Sequence, residues 1–485
     1  MKRFSFGLVA VLAAVVLPFS GLASAASSVD YEKSIGQVDG ADTVNWVVTA
    51  TDDGGYVVGG QTVSCYRRPA QVLEGATLTD SDEDWEKVSS QECLNYYNSG
   101  AATRSVDMFS KANFNVDTFC SEGSVKGTEE LGDNAGLLGD GDEGGPNYVY
   151  KFSCVDYIAK FKKNGTKEWL TTIDDDSKPV AVNKLADSSY RLIVYAKRMY
   201  AFDARGVQVA KKDLEANYKT IYINSDGSIT SDTPLTYSDA NGAIVAKATE
   251  SGIAGYYDWL FPTKDGYVAN KCWYDMDAKK DMCVIVDISK DISTIKEREL
   301  KDVDADRIFI VSANEKGDIL AYDPSKGDNV TLISIDKDGN VIGESDILKN
   351  PQDFANAHFF KDFTIGFGDN EFSSVTRIVK FDRDLSVEYK YEGSGNEIIN
   401  DVAVLKDKSL VGVGVAIKGS SSMPVIGDVN GGYLRLVAKQ DSTPTPSERP
   451  VNNPKTWDAV DTIATIGGVA LLGLGFFVRR NLNRR

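Results

Sequence analysis

The stretch Asp53-Gly54-Gly55-Tyr56-Val57-Val58-Gly59-Gly60 reads as a tight acidic turn running into a strand of β-branched and small residues. Versions of it recur down the chain. They are Asp187-Ser188-Ser189-Tyr190, a weaker Asp226-Gly227-Ser228-Ile229, and Asp265-Gly266-Tyr267-Val268; then Lys316-Gly317-Asp318-Ile319, Lys361-Asp362-Phe363-Thr364 and Asp407-Lys408-Ser409-Leu410. With Tyr56, Tyr190, Ile229, Tyr267, Ile319, Phe363 and Leu410 as equivalent points, the steps after the first are 39, 38, 52, 44 and 47 residues. The first step, 134 residues, is one such step enlarged by an insertion.

A second phrase follows most copies of the first: an apolar strand, an acidic or glycine turn, and another strand. Examples are Ile158-Ala159-Lys160-Phe161 before Asn164-Gly165, Tyr200-Ala201-Phe202 before Asp203-Ala204-Arg205-Gly206, Ile333-Ser334-Ile335 before Asp336-Lys337-Asp338-Gly339-Asn340, and Ile378-Val379-Lys380-Phe381 before Asp382-Arg383-Asp384. Asn-Gly and Asp-Gly supply the positive φ of two-residue hairpin turns, so each repeat offers two linked hairpins, or four strands. Four-stranded units at a period of 40–50 residues predict an all-β fold, a β-propeller, whose blades cover one another's faces around an axis. Seven blades come first; six or eight stay open, because the copy at Ile229 is poor and the two terminal segments could combine into a blade. A tandem of β-sandwiches would repeat at about 90–100 residues and is disfavoured. The D-G-G-Y-x-x-x-G phrase, with a later hairpin carrying Glu168-Trp169, resembles the degenerate propeller repeats of bacterial surface proteins.

The insertion, residues 66–153, is turn-rich and acidic, with about 16 carboxylates against 7 cations. Cys65 and Cys154 stand at its edges and Cys93 and Cys120 inside it. An edge bridge and an inner bridge would hold a small lobe too poor in apolar residues to build a core unaided. Cys272 and Cys283 flank a polar turn at hairpin distance and read as a cross-strand bridge, with a pair of free thiols as the alternative.

Both ends speak of export. Lys2 and Arg3 precede an apolar stretch, and Ala23-Ser24-Ala25 forms a cleavage site, so residues 1–25 read as a secretory signal and 26–441 as the propeller domain. Residues 442–456 form a spacer with Pro444, Pro446 and Pro450, ending in Asn453-Pro454-Lys455-Thr456 before Trp457. Residues 457–485 carry an apolar run, Ile463 to Val478, and then Arg479, Arg480, Arg484 and Arg485; this predicts a transmembrane helix with its cationic tip on the cytoplasmic side. This order of parts resembles the cell-wall sorting signal of Gram-positive surface proteins, in the N-P-K-T-x variant. Trp457 stands where that variant has glycine or asparagine. The resemblance implies a sortase as partner, cleavage after Thr456 and attachment to the wall; the alternative is an uncleaved membrane anchor. Either puts the body on the outer face of the cell envelope.

The formal net charge of -18 excludes a phosphate backbone as partner, since no basic cluster in the body opposes it. His358 is the chain's single histidine, set among apolar residues and expected in a core or interface. One histidine rules out multi-histidine zinc sites, and no nucleophile-elbow sequence accompanies it. Phosphate-loop and dinucleotide motifs are absent, no catalytic set is identified, and no cofactor is expected beyond one weak calcium candidate, Asp336, Asp338 and Asn340. That loop has the opening spacing of an oxygen-ligand site, but Ile347 stands at the twelfth position where glutamate belongs. Tyr66, Tyr96, Tyr97, Phe114 and Phe119 lie in the insertion and suit either a contact surface or the lobe's own core. These features predict a surface-anchored binding protein that engages an extracellular protein or glycan, with an extracellular glycosidase using paired carboxylates as the alternative.

Overall fold

The computed structural model describes residues 27–438, except for 70–85, 89–147, 215–220, 249–255, 324–329, 368–376, 418–428 and shorter stretches of at most four residues. By contacts the chain divides into Met1–Lys439 and Gln440–Arg485. The predicted signal, spacer, sorting motif and transmembrane segment all lie outside the described residues. Among the described residues no helix is long and apolar enough to cross a membrane.

The described strands form seven sheets of four antiparallel strands, each a meander, with one short strand added to the first. Blade 1 holds β2 (Asp42–Ala50), β3 (Tyr56–Pro69), β5 (Tyr148–Phe161) and β6 (Lys167–Ile173), with β4 (Glu86–Val88) pairing off β3. Blade 2 is β7 (Pro179–Lys184), β8 (Tyr190–Val194), β9 (Arg198–Phe202) and β10 (Gln208–Asp213). Blade 3 is β11 (Ile221–Ile223), β12 (Ile229–Asp232), β13 (Leu235–Ser238) and β14 (Ile244–Lys247). Blade 4 is β15 (Tyr256–Pro262), β16 (Gly266–Asp275), β17 (Lys280–Ser289) and β18 (Ile295–Glu297). Blade 5 is β19 (Phe309–Ala313), β20 (Ile319–Asp323), β21 (Thr331–Ile335) and β22 (Val341–Ser345). Blade 6 is β23 (Ala357–Phe360), β24 (Thr364–Phe367), β25 (Arg377–Phe381) and β26 (Val387–Glu392). Blade 7 takes β27 (Glu397–Val404), β28 (Leu410–Ile417) and β29 (Val429–Ala438) from the end of the domain, and its outermost strand, β1 (Ser27–Ser34), from the beginning. The terminal segments do combine into a blade, and the count is seven. The copy at Ile229 is a full blade despite its weak sequence.

Each repeat point opens the second strand of its blade, or sits just before it, and all seven side chains are 2% exposed or less. Seven separate apolar clusters fill the seven spaces between successive blades. A strand pair has two faces, and burying both, at roughly 1.5–3 kcal/mol per large side chain, needs a neighbour on each side; the ring supplies one. The inner strands are also latched to one another. Val48 N–H donates to Asp401 Oδ2 (2.8 Å), Asn183 Nδ2 to Ile223 O (2.6 Å), Tyr222 OH to Leu260 O (2.5 Å) and Ser312 Oγ to Phe360 O (2.6 Å). Burial raises the Asp401 carboxyl above its ordinary range, opposed by Lys361 and by the Val48 and Val402 amides.

The hairpin turns differ from the expected two-residue form. In the β9–β10 turn Asp203 N–H donates to Val207 O and Gly206 N–H to Asp203 O, a three-residue turn whose last residue is left-handed; Gly206 has φ +79°. The same pattern recurs at Lys162–Thr166, Asp336–Asn340 and Asp382–Ser386. Serine, lysine or leucine takes the left-handed position at Ser188, Lys408 and Leu385, which blurs the glycine signal of the repeat.

β3 and β5 run past the last rung of β2, Asp42 opposite Val63, and stay paired to Pro69 opposite Tyr148. The expected insertion edges, 66–69 and 148–153, are therefore strand, and the excursion lies between 70 and 147. Cys65 stands opposite Phe152, not Cys154, whose own partner is Val63. Cys154 is disulfide-bonded. Cys93, Cys120 and the expected lobe, with Tyr96, Tyr97, Phe114 and Phe119, fall outside the described residues. Cys272 and Cys283 face each other across β16 and β17 with Cα atoms 4.1 Å apart and are bonded.

His358 is exposed, which removes the core from its two expected placements, core or interface. It lies on an innermost strand, and the two-residue alternation turns Ala357 and Phe359 into the cluster between blades 5 and 6 and leaves His358 on the other side.

Candidate functional site

The first turn of every blade and the third turn of blades 1 to 6 lie at the same end of the ring, because antiparallel strands reverse direction at each turn. At that end, where blade 7 meets blade 1, the strands leave a cleft of about 670 Å³. Its residues come from β1 (Asp30, Tyr31, Lys33), β29 (Arg435) and two blade 1 turns (Asp53, Gly55, and Lys162 to Asn164), with Glu168 from β6.

Among the described residues Tyr31 is the one aromatic side chain lining the cleft, and the rings packed beneath it form a buried floor. Tyr56, Phe161 and Tyr433 pack with ring centroids 4.6–5.9 Å apart, and Tyr31 meets Tyr433 edge-on at 6.3 Å. Tyr31 OH donates to Lys163 O at 3.0 Å and Tyr433 OH to Gly165 O at 2.8 Å. A side chain at residue 165 would meet the Tyr31 ring at 2.7 Å, and its φ is +73°, so the turn packs this closely because it carries glycine. Burial raises the tyrosine hydroxyls: Tyr433 to about 12, and Tyr31 and Tyr56 in the same direction.

Above the floor the charges are sorted into clamps. Lys160 Nζ lies 2.7 Å from both Asp53 Oδ2 and Glu168 Oε2. Arg435 binds Asp30 and Asp407 and donates through Nε to Ser409 Oγ at 2.9 Å, and Lys163 meets Asp407 at 2.8 Å. Burial pushes the Asp53 carboxyl up, but hydrogen bonds from Lys160, Thr51 and the Gly55 amide outweigh it and hold the group at about 2. At Asp407 burial is likewise outweighed, here by Lys163, Ser409 and Arg435, and the carboxyl sits well below its usual range. The same balance at Lys160, burial against Asp53 and Glu168, raises the ammonium. A glycosidase acid needs a carboxyl held above its ordinary value. Asp53 and Asp407 are driven the other way, so neither is held as such an acid.

Not every cation is neutralised. Lys33 Nζ donates to the Asn164 carbonyl at 2.8 Å, and Lys162 has no ion-pair partner among the described residues. Both are exposed at the opening.

The sequence-predicted calcium residues do not join this cleft. Asp336 accepts from the Asp338 and Asn340 amides (both 2.9 Å) and from Asn340 Nδ2, so its carboxylate is the internal acceptor of a turn. Among the described residues no group of three or more His, Cys, Asp or Glu could hold a metal ion. The cleft itself escaped sequence reading because it joins Lys33 to Asn164 across 131 residues. The one local signal was the acid-free turn Lys162-Lys163-Asn164-Gly165-Thr166-Lys167.

No protein-family model matches the chain, and no curated protein matches it. Among solved structures, a streptogramin B lyase is similar over 84% of this chain and 98% of its own, with 13% identity and a TM-score of 0.40. BamB from Moraxella catarrhalis is similar over 58% of this chain and 81% of its own, at 11% identity and a TM-score of 0.29. The C-terminal WD40 domain of Sif2 covers 84% of this chain and 99% of its own, at 9% identity and a TM-score of 0.34. The reading of function rests on this chain's own residues.

Proposed function

We propose that this chain is an exported binding protein, held at the outer face of the cell envelope by its C-terminal tail, whose propeller engages an extracellular protein or glycan through the closure-seam cleft. The observation that carries the reading is the state of the cleft. Its acids Asp30, Asp53 and Glu168 are each tied to a cation, an arrangement that suits recognition by fixed charges. The export signal of residues 1–25 and the tail from Asn453 to Arg485 support display outside the cell.

Two experiments test this. The segment from Ala26 to Asp441 contains every described strand, and it should bind saturably on a glycan or protein array; an array without a saturable ligand sinks the binding reading. Mass spectrometry of the mature surface protein should find a C-terminus at Thr456 joined to wall peptide. An intact Arg485 on surface-exposed protein would replace the sortase by a retained membrane anchor.

A further inference from the structure

Six blades carry a turn between their third and fourth strands, and these turns allow a residue-by-residue comparison. The first position, whose N–H and C=O close the turn, is Asp203, Asp239, Asp336 and Asp382 in blades 2, 3, 5 and 6, and Ser289 in blade 4. Each of these side chains accepts a backbone N–H of its own turn; Asp203 Oδ1, for example, takes Arg205 N–H and Val207 N–H, both at 2.9 Å. In blade 1 the same position is Lys162, with identical backbone closure (Lys162 N–H to Thr166 O at 2.9 Å, Gly165 N–H to Lys162 O at 2.8 Å). Blade 1 thus forgoes the stabilising turn acid and puts an ammonium in its place, at the mouth of the seam cleft. A solvated turn gains nothing from that exchange; a site for a negative group does.

We infer that the seam cleft takes an anionic sugar, one whose carboxylate is held by Lys162 and Lys33. This deepens the binding function proposed above and rests on it. Lys33 has N–H groups to spare beyond its one bond to the Asn164 carbonyl, and Lys162 has all of its own. The remaining wall suits a saccharide. Asp30, Asp53 and Glu168 each pair with a cation and line the cleft, where carboxylate oxygens accept from hydroxyl donors. The same three carboxylates repel a peptide with consecutive acids, whose charges come closer together than the single carboxylate of each uronate residue. About 670 Å³ lies in the range of small-molecule sites and accommodates a short oligosaccharide.

The test is calorimetric titration of the full-length protein with trigalacturonate, its methyl ester, inorganic phosphate and a hexaglutamate peptide, at low and at physiological salt. The expected result is saturable binding of trigalacturonate that weakens as salt rises, no binding of the neutral ester, and a loss of at least about tenfold in Lys33→Ala/Lys162→Ala. Lys162→Arg should retain binding, and unchanged thermal unfolding of the double variant separates lost contact from lost fold. Equal affinity for the methyl ester overturns the anionic assignment and leaves the binding function standing. Binding of phosphate alone marks an adventitious ion only and overturns the inference. So does tighter binding of the peptide, or no heat with any of the four; in that last case array binding of another ligand would still uphold the parent reading.

Discussion

Blades 6, 7 and 1 differ from blades 2 and 3 at one structurally equivalent place, the bulge where the fourth strand skips a rung on the third. In blades 1, 6 and 7 the bulge residues are Glu168, Glu388 and Asp30, and the third-strand residues beside them are Lys160, Lys380 and Arg435. An acid of the first turn, Asp53, Asp362 or Asp407, completes each clamp. In blades 2 and 3 the bulges carry Val209 and Val245, 63% and 64% exposed, beside Ala201 and Tyr237. Blades 6, 7 and 1 are the ones that close the ring, where blade 7 is assembled from both ends of the domain. Charge is concentrated in blade 7, whose third and fourth strands have no covalent link, and in the two blades that flank it.

That contrast breaks most visibly at Arg435. It is 7% exposed and holds β1 to the β27–β28 turn. Arg435→Ala leaves two carboxylates facing each other without their cation and should cost about 3 kcal/mol. Chemical denaturation should show the loss, with limited proteolysis releasing β1 first. Val209→Thr at the exposed bulge of blade 2, where there is no clamp to lose, should change stability by less than about 0.5 kcal/mol.

Acid sharpens the comparison. Folding lowers the Asp53 carboxyl from its ordinary value to about 2, so its contribution is present above roughly pH 4 and is lost as pH falls toward 2. Asp407 shifts in the same direction. For Asp53, whose side chain is 53% exposed, solvent screening reduces the contribution to about 1 kcal/mol. Between pH 4 and pH 2 the seam should loosen ahead of blades 3 and 4, as hydrogen exchange of Val57 and Lys160 against Ala269 and Val286 would report. Lys160→Met should flatten the acid limb; an unchanged pH profile in that variant would remove the clamp from the account.

A third measurement builds the clamp where it is missing. Blade 2 already has a turn acid, Asp187, held below its ordinary range by the Ser189 hydroxyl and amide. Adding Ala201→Lys and Val209→Glu supplies the other two members. Each single change should be neutral or destabilising, and the double-mutant cycle should return a favourable coupling of about 0.5–1 kcal/mol. A coupling near zero would mean that the clamps of blades 6, 7 and 1 owe their geometry to the seam and not to the bulge.

Sequence reading reached the architecture but not the site, and the residues show why. Tyr56, Tyr190, Ile229, Tyr267, Ile319, Phe363 and Leu410 mark all seven second strands, since each repeat needs a large side chain where a turn enters the core and that requirement is local. The clamps are not local. Glu168 and Val209 look alike as strand residues until the ladder shows both in a bulge, and register depends on which side chains the neighbouring blades bury. β1, with the sequence Ser27-Ser28-Val29-Asp30-Tyr31-Glu32-Lys33-Ser34, carries no turn phrase, and only its pairing with β29 reveals that it closes the ring and walls the cleft.

The smallest expected effect separates stability from function most cleanly. Lys162→Asp restores at blade 1 the acid found in blades 2, 3, 5 and 6, where it accepts amides of its own turn. Asn164 Oδ1 already accepts the Thr166 amide at 3.0 Å, so one new bond is gained rather than two, and the variant should be more stable by about 0.5 kcal/mol. A turn shaped only by folding would have kept the acid. If Lys162→Asp raises the unfolding midpoint while abolishing anion binding, blade 1 carries its lysine for the ligand against the interest of the fold. If it lowers the midpoint, the lysine serves the seam itself, and the break in the repeat is a matter of closure.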